Sequence, residues 1–443
     1  MDNQIDVLVK KHQRELIDLS KQIWSLAETA LEEKESSQLL SSYLEEHGFS
    51  VQRGLAGMDT AFLAQWGCGS PRILYLAEYD ALSLLGQDAV PYESPIAGKN
   101  GHACGHNLLG VGAVGAAMAL RDYLQSSGTP GTVALMGCPA EEIMVGKIKL
   151  AEAGFFKDYD LALTWHPDAV NLVSEYRYQA MYSMRFSFYG KPSHAAVSPE
   201  AGRSALDAVE LMNVGANYLR EHIDPGARIH YIIQHGGEKP NIVPAYAQSW
   251  YYIRAPRDEI ADDIFNRVCD IAQGAALMTG TKMERQVLSY CPATRINHAL
   301  NDLLKEAFDV VGAPQWDEAD LAFAKKIQEQ FPAEQVLSQL EAHPRLCQNK
   351  ACALDTGVSA LTGRPFAHPA SSDVSKVSTI IPTGQIMVAC YPIGAAGHTW
   401  PITACAGMQI GWNGMMTAAK VLALAGRRIC EDSSLLNEIR AEF

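Results

Sequence analysis

Three short apolar runs, each closing on ionisable residues and each followed by a helix-like segment, most constrain what this chain can become. Residues 73–77 (ILYLA) end in Glu78-Tyr79-Asp80, and residues 132–137 (TVALMG) lead to Pro139-Ala140-Glu141-Glu142. Residues 161–164 (LALT) end in Trp165-His166-Pro167. Apolar runs of this length without alternation read as strands covered on both faces. A loop over residues 82–105 leads into a helix of small residues over 108–124. Strands alternating with helices predict an α/β fold built on a mixed, largely parallel sheet. In such sheets, sites form beyond the carboxyl ends of the strands, which is where Asp80, Glu141, Glu142 and His166 fall.

Residues 181–288 depart from that pattern. MYSMRFSFYG, RIHYIIQHGG and AYAQSWYYIRAP read as strands, and residues 204–218 and 258–278 read as helices. This order predicts an inserted α+β, ferredoxin-like domain at 181–288 within a discontinuous domain of 1–180 and 289–443. Upstream, Leu16, Leu19, Ile23 and Leu26 form one helical stripe, and a helix over 36–46 stops at His47-Gly48. Downstream, helices over 298–311 and 318–330 precede the strand-like QIMVACYP and a terminal helix over 405–425. Residues 331–372 lack periodicity and read as a loop-rich excursion.

Composition removes several functional classes. Hydrophobic residues make up 48% and charged residues 19% of the 443, enough for a large core and too little charge for disorder. A net charge of −14 argues against a nucleic-acid partner. The most apolar stretch, residues 108–120, is too short to cross a bilayer, so no membrane role is expected. The polar N-terminal stretch has no apolar signal core, and the ten cysteines show no framework spacing. Both point to reduced thiols and a cytoplasmic protein.

Cys104 stands apart from the other cysteines. In Gly101-His102-Ala103-Cys104-Gly105-His106-Asn107, glycines let the chain turn so that Cys104 and His106 face one ion. Thiolate with imidazole suits zinc and other borderline metals. Buried Cys and His near a turn are more often structural, so the weight comes from the strand-end residues and from His398 in a second Gly-flanked loop. Adjacent glutamates are usually solvated at a helix start. The functional reading of Glu141-Glu142 has one bind metal while the other deprotonates the attacking water. Asp80 is either a plain loop residue or a carboxylate orienting a ligand imidazole.

The stretches AEYDAL (77–82), NGHACGHNLLG (100–110), GCPAEE (137–142), LTWHPD (163–168), GKPSHAA (190–196), GRSALDAV (202–209), GGEKPNIVP (236–244), IRAP (253–256), SSDVSKVS (371–378) and GHTW (397–400) resemble, in order, those of the M20 metallopeptidase family and its amidohydrolase subfamily. The resemblance implies a zinc-exopeptidase-type catalytic domain with an inserted lid and dimerisation domain. It implies two divalent ions, zinc or manganese, held by Cys104, His106, Glu142, His166 and His398, with Cys104 bridging. Glu141 is then the general base and Asp80 the orienting aspartate. His194 stabilises the oxyanion, often across a homodimer, and Asn241 and Arg254 grip the substrate.

The implied activity is hydrolysis of the amide bond in a small N-acyl amino acid or dipeptide. LTWHP, GRSALDAV, QGAALMTG and LAFAK are most similar to a branch acting on aminobenzoyl-glutamate-like substrates, a branch that admits an A-type partner subunit. Ile143-Met144 and Ser375-Lys376 depart from the pattern of that branch, and both segments are expected near the substrate. Two rival readings are a hydrolase using Cys104 as nucleophile and a non-catalytic binding protein that keeps the metals as scaffold. A third is a metal enzyme of a different reaction, such as deamination.

Overall fold

The computed structural model describes residues 3–343, 345–346 and 352–443. The chain divides into two compact units, 1–175 with 296–365 and 380–443, and 176–295 with 366–379.

Seven strands form the sheet of the first unit: β1 (Ser50–Leu55), β2 (Met58–Cys68), β3 (Arg72–Ala77), β4 (Gly131–Gly137), β5 (Leu161–Asp168), β6 (Leu172–Val173) and a last strand, Thr383–Ala389. Their order is β1-β2-β4-β3-β5, then Thr383–Ala389, then β6. The inner pairings β4–β3, β3–β5 and β5 with Thr383–Ala389 are parallel, and the outer ones are antiparallel. This is the expected mixed sheet with a parallel centre. The apolar runs are continuous because both faces are covered: every residue of β4 and of Thr383–Ala389 is buried.

The helix His106–Ser127 covers the centre of the sheet and is buried along most of its length. Small residues let it lie close. A Cβ on Gly110 would come 2.6 Å from the Glu78 carbonyl oxygen, so the helix start is pressed against the end of β3. The long helix Gln409–Glu431 packs in the same core cluster, and a last helix, Ser433–Glu442, follows it. The long helix is not the single one expected over 405–425. A shorter helix, Trp400–Ala406, ends at Gly407, where a Cβ would meet the Trp24 indole at 2.7 Å, and the chain restarts at Gln409. β5 also runs past its expected end, carrying Trp165 and His166 within the strand.

The second unit has its own four-stranded antiparallel sheet. It is made of β8 (Ala180–Tyr189), β9 (Arg228–His235), β10 (Tyr246–Ala255) and β11 (Lys282–Cys291), in the order β11-β8-β10-β9, and β7 (Tyr176–Tyr178) lies outside it. The helices Ala205–Leu219 and Asp258–Thr279 supply the rest of its core. β12 (Phe366–His368) pairs in parallel with β7, which draws 366–379 out of the 289–443 stretch and into this unit. Within the expected excursion over 331–372 the structure has a helix, Ala333–Ala342, and β12. Residues 344 and 347–351 of that stretch lie outside the described residues.

Candidate metal centre

Three parallel strands end side by side, and the ionisable residues lie on the loops leaving them or, for His166, near the end of β5 itself. Gly105, with φ +76°, caps the helix His106–Ser127 in the left-handed region, a conformation that favours glycine. The turn between Cys104 and His106 depends on it. Two donor triads result. The ligand atoms of Cys104, His106 and His166 lie within 4.8 Å of one another, and so do those of Cys104, Glu142 and His398. Cys104 belongs to both. Cys104 Sγ is 3.4 Å from His166 Nε2, and His398 Nε2 is 3.5 Å from Glu142 Oε2.

The histidine tautomers follow from hydrogen bonding. A backbone carbonyl can only accept, so His166 Nδ1–H donates to the Pro167 oxygen (2.7 Å) and its Nε2 lone pair faces Cys104. His106 Nδ1–H donates to Asp80 Oδ1 (2.9 Å), which turns its Nε2 into the cluster. Asp80 is fully buried, and its Oδ2 accepts the Glu142 backbone N–H at 2.9 Å. One carboxylate thereby fixes a ring on one strand-end loop and a backbone on another, the orienting arrangement expected around metal-bound histidine. His398 has φ +58°, and its N–H donates to the Ala103 oxygen at 3.2 Å, tying the C-terminal loop to the Cys104 turn.

Burial sets the electrostatics. It pushes the Cys104 thiol far above its ordinary range and raises the Glu142 carboxyl, while the His166 imidazole is pulled down to about 4 by burial and by neighbouring His106. The donor set suits divalent transition ions: thiol, imidazoles and a carboxylate at one spot. Two of its atoms, His106 Nε2 and Glu142 Oε1, are buried without a hydrogen-bond partner among the described residues. Buried polar atoms seldom remain unmatched, and a bound cation would match both.

Three residues near the cluster escaped the sequence reading. Glu78, almost completely buried, lies with Oε2 3.4 Å from His106 Nε2, and its Oε1 pairs with Lys147 Nζ at 2.7 Å. Lys147 is fully buried. Glu78, His106 and Glu141 form a further group whose ligand atoms lie within 4.8 Å of one another. The single-turn helix Glu141–Ile143 is preceded by Ala140, whose N–H donates to Glu33 Oε1 (2.9 Å). Burial and the Asp80 charge raise the Glu33 carboxyl to about 7. The signal for Glu78 was its place two residues before Asp80. Glu33 and Lys147 gave none, because each reads as part of a solvated charge run.

His194, Asn241 and Arg254 lie in the second unit. His194 pairs across an isolated bridge with Ile242, and the Ala195 N–H donates to the Asn241 carbonyl at 3.0 Å. The N–H groups of Ala196 and Val197 point at His194 Nδ1 (3.3 and 3.2 Å), so that nitrogen accepts and Nε2 carries the proton. Arg254 is half-buried on β10. Its Nη1 donates to Ser371 Oγ at 3.3 Å, and it makes no ion pair among the described residues. Of the two departures, Ile143 is exposed and Met144 buried, while Ser375 is buried and bonded to Thr294 Oγ1 at 2.7 Å.

A mixed sheet with such donors at its carboxyl ends matches a known class of hydrolase. The sequence profile of peptidase family M20/M25/M40 matches residues 74–334, and the chain belongs to this family. It is a hydrolase acting on amide bonds, in a family that binds divalent metals.

Among its relatives, the chain is 39% identical to the B subunit of p-aminobenzoyl-glutamate hydrolase from Escherichia coli (strain K12), over 99% of this chain and 94% of that protein. It is 32% identical to the Xaa-Arg dipeptidase of Mus musculus, over 98% of this chain and 92% of the relative. Among solved structures it resembles an aminobenzoyl-glutamate utilization protein from Klebsiella pneumoniae (TM-score 0.65, 17% identity, covering 95% and 98%). It also resembles a dinuclear metal-binding peptidase of the M20 family from Bacillus subtilis (TM-score 0.62, 18% identity, covering 95% and 99%). No helix among the described residues is long and apolar enough to cross a membrane.

Proposed function

We propose that the protein hydrolyses the amide bond of a small N-acyl amino acid or dipeptide with a free carboxylate, aminobenzoyl-glutamate first among them. The observation that carries the reading is that two donor triads share Cys104. Cys104, His106 and His166 would hold one divalent ion, and Cys104, Glu142 and His398 the second. Bound there, the ions would supply Lewis acidity, lowering the pKa of a water and polarising the scissile carbonyl.

The chain's own residues do the rest. Glu141 takes a proton from the attacking water as the new C–O bond forms, and returns it to the amide nitrogen as the C–N bond breaks, leaving a carboxylate and an amine. Asp80 keeps the proton of His106 on Nδ1. His194, with its proton on Nε2, would donate to the oxyanion, a contribution of about 3–4 kcal/mol for a well-placed donor. Arg254 has a planar fork and makes no ion pair among the described residues, which fits it for a substrate carboxylate, with Asn241 beside the backbone.

The relatives' names support the substrate class: a hydrolase of p-aminobenzoyl-glutamate and an Xaa-Arg dipeptidase both cut an amide next to a carboxylate-bearing residue. The E. coli relative is named as one of two kinds of subunit, which supports an A-type partner subunit for this chain. The second unit's open sheet edge supports a homodimer. Nine described cysteines are free thiols, in keeping with a reducing cytoplasm. Cys104 belongs to both donor triads, which favours a ligand role over the cysteine-nucleophile reading.

The test is kcat/KM, after reconstitution with zinc or manganese, on aminobenzoyl-glutamate, acetyl-amino acids and dipeptides. Activity on at least one amide, abolished in Glu141→Gln with metal content unchanged, supports the reading. Inactivity on the whole panel, or full activity in Glu141→Gln, overturns it.

A further inference from the structure

Away from the Cys104 cluster, the first unit holds a second group of metal-competent side chains. His12 caps the start of the helix Gln13–Leu26, Glu15 lies in that helix's first turn, and His47 caps the end of the helix Lys34–Glu46. The ligand atoms of these three residues lie within 4.8 Å of one another. His12 Nδ1 is 3.6 Å and His47 Nε2 3.9 Å from the same atom, Glu15 Oε2.

These separations are too long for hydrogen bonds, so neither imidazole is bonded directly to the carboxylate. They are close to what one ion would impose. Tetrahedral zinc with ligands at about 2.0–2.2 Å holds its donors about 3.3–3.6 Å apart, and small rotamer shifts of an exposed glutamate cover the difference.

The far side of each ring is already fixed. His12 Nε2 pairs with Asp122 Oδ2 at 3.1 Å, and Asp122 is itself anchored by Lys11 Nζ (2.7 Å) and Arg121 Nε (2.9 Å). His47 Nδ1–H donates to the Tyr43 carbonyl at 2.7 Å. Each ring therefore has its proton directed away and its lone pair directed inward. A carboxylate and a carbonyl are the usual partners behind metal-bound histidines. The Tyr43 hydroxyl, 2.9 Å from Glu15 Oε2 and 3.5 Å from His12 Nδ1, also reaches the centre and steadies the carboxylate. A cleft of about 470 Å³ lined by Glu15, Gln38, Ser42 and His47 opens beside the site and admits a water as fourth ligand.

We propose that His12, Glu15 and His47 bind one divalent transition ion, zinc by their donor set, at a site separate from the hydrolytic cluster. The ion clips the end of one N-terminal helix to the start of another and, through Asp122, to the helix His106–Ser127.

The test counts zinc. The full-length wild type, Glu15→Gln and His47→Gln are stripped with chelator, dialysed against buffered low-micromolar free zinc, and their bound zinc is measured by mass spectrometry. Each variant should hold one zinc per chain fewer than the wild type, and zinc should raise the thermal midpoint of the wild type more than that of either variant. Because the count is a difference, it reads this site whatever the Cys104 cluster retains. Both variant positions are at least partly exposed, and equal midpoints in chelator confirm that the variants fold; if one is lowered, the other carries the count. Hydrolysis should be unchanged in both. A zinc count in a folded variant equal to that of the wild type overturns the proposal.

Discussion

Replacing Asp80 with Asn probes the joint on which the candidate metal centre turns. The Asp80 carboxylate accepts two hydrogen bonds at 2.9 Å, one from His106 Nδ1–H and one from the Glu142 backbone N–H, and it is fully buried. An Asn of the same shape has one accepting and one donating arm. If its oxygen serves His106, its NH₂ is forced against the Glu142 N–H. If the amide turns over, its NH₂ opposes the His106 Nδ1–H, and the ring moves its proton to Nε2, where the metal should bind. Either way one charge-assisted bond, about 1.5–3 kcal/mol, is lost and a donor is left buried and unmatched. A disturbed partner behind a metal-bound histidine weakens metal binding about 10–100-fold. Titration with a competing chelator reads the affinity, and a thermal melt in chelator reads the fold. The Asp80 backbone oxygen, 3.1 Å from His106 Nδ1, is kept in the variant, so metal affinity in Asp80→Asn within twofold of the wild type would refute the reasoning by showing that the carboxylate does not orient His106.

Lys147→Met should lower the thermal midpoint of the metal-free protein, since it leaves the buried Glu78 carboxylate with only the His106 contact at 3.4 Å, and breaking a buried pair costs up to about 3–5 kcal/mol. Adding Glu78→Leu should recover a large part of that loss, and a double variant as unstable as the single one would contradict the pairing. Metal loading should release a proton, because burial raises the Cys104 thiol and an ion must displace the proton it holds. Affinity should therefore rise with pH, as calorimetry in buffers of different ionisation enthalpy will show. Asp122 supplies an acid-sensitive contribution: against the cost of burial, His12, Lys11 and Arg121 lower its pKa from 3.8 to about 2. That stability is complete above pH 3.8 and is lost as the pH falls towards 2. Screening reduces it to about 1–2 kcal/mol, and Asp122→Asn should flatten the acid limb of a pH–stability curve.

What was legible in the sequence was what local pattern controls. The buried strands announced themselves as unbroken apolar runs, and their order alone placed Asp80, Glu141, Glu142 and His166 at one edge of a sheet. The glycines around Cys104 announced a turn. What was not legible depends on long-range packing. Lys147 looks like one more charge on a helix start and becomes a buried cation only because the fold sets it against Glu78, 69 positions away. Glu33 sits in a Glu/Lys-rich stretch typical of surfaces, yet it holds the backbone ahead of the paired glutamates. The helix Ala333–Ala342 buries only Leu340, so no apolar stripe betrayed it. The break at Gly407 exists because Trp24, far away in sequence, occupies the space a side chain there would need.

The central claim is that one thiol serves two ions. Anomalous scattering from crystals grown with manganese or zinc tests it most directly. The account predicts two ions near the strand ends, one touching Cys104, His106 and His166 and the other touching Cys104, Glu142 and His398. A single ion there, or two ions neither of which contacts Cys104, would contradict it.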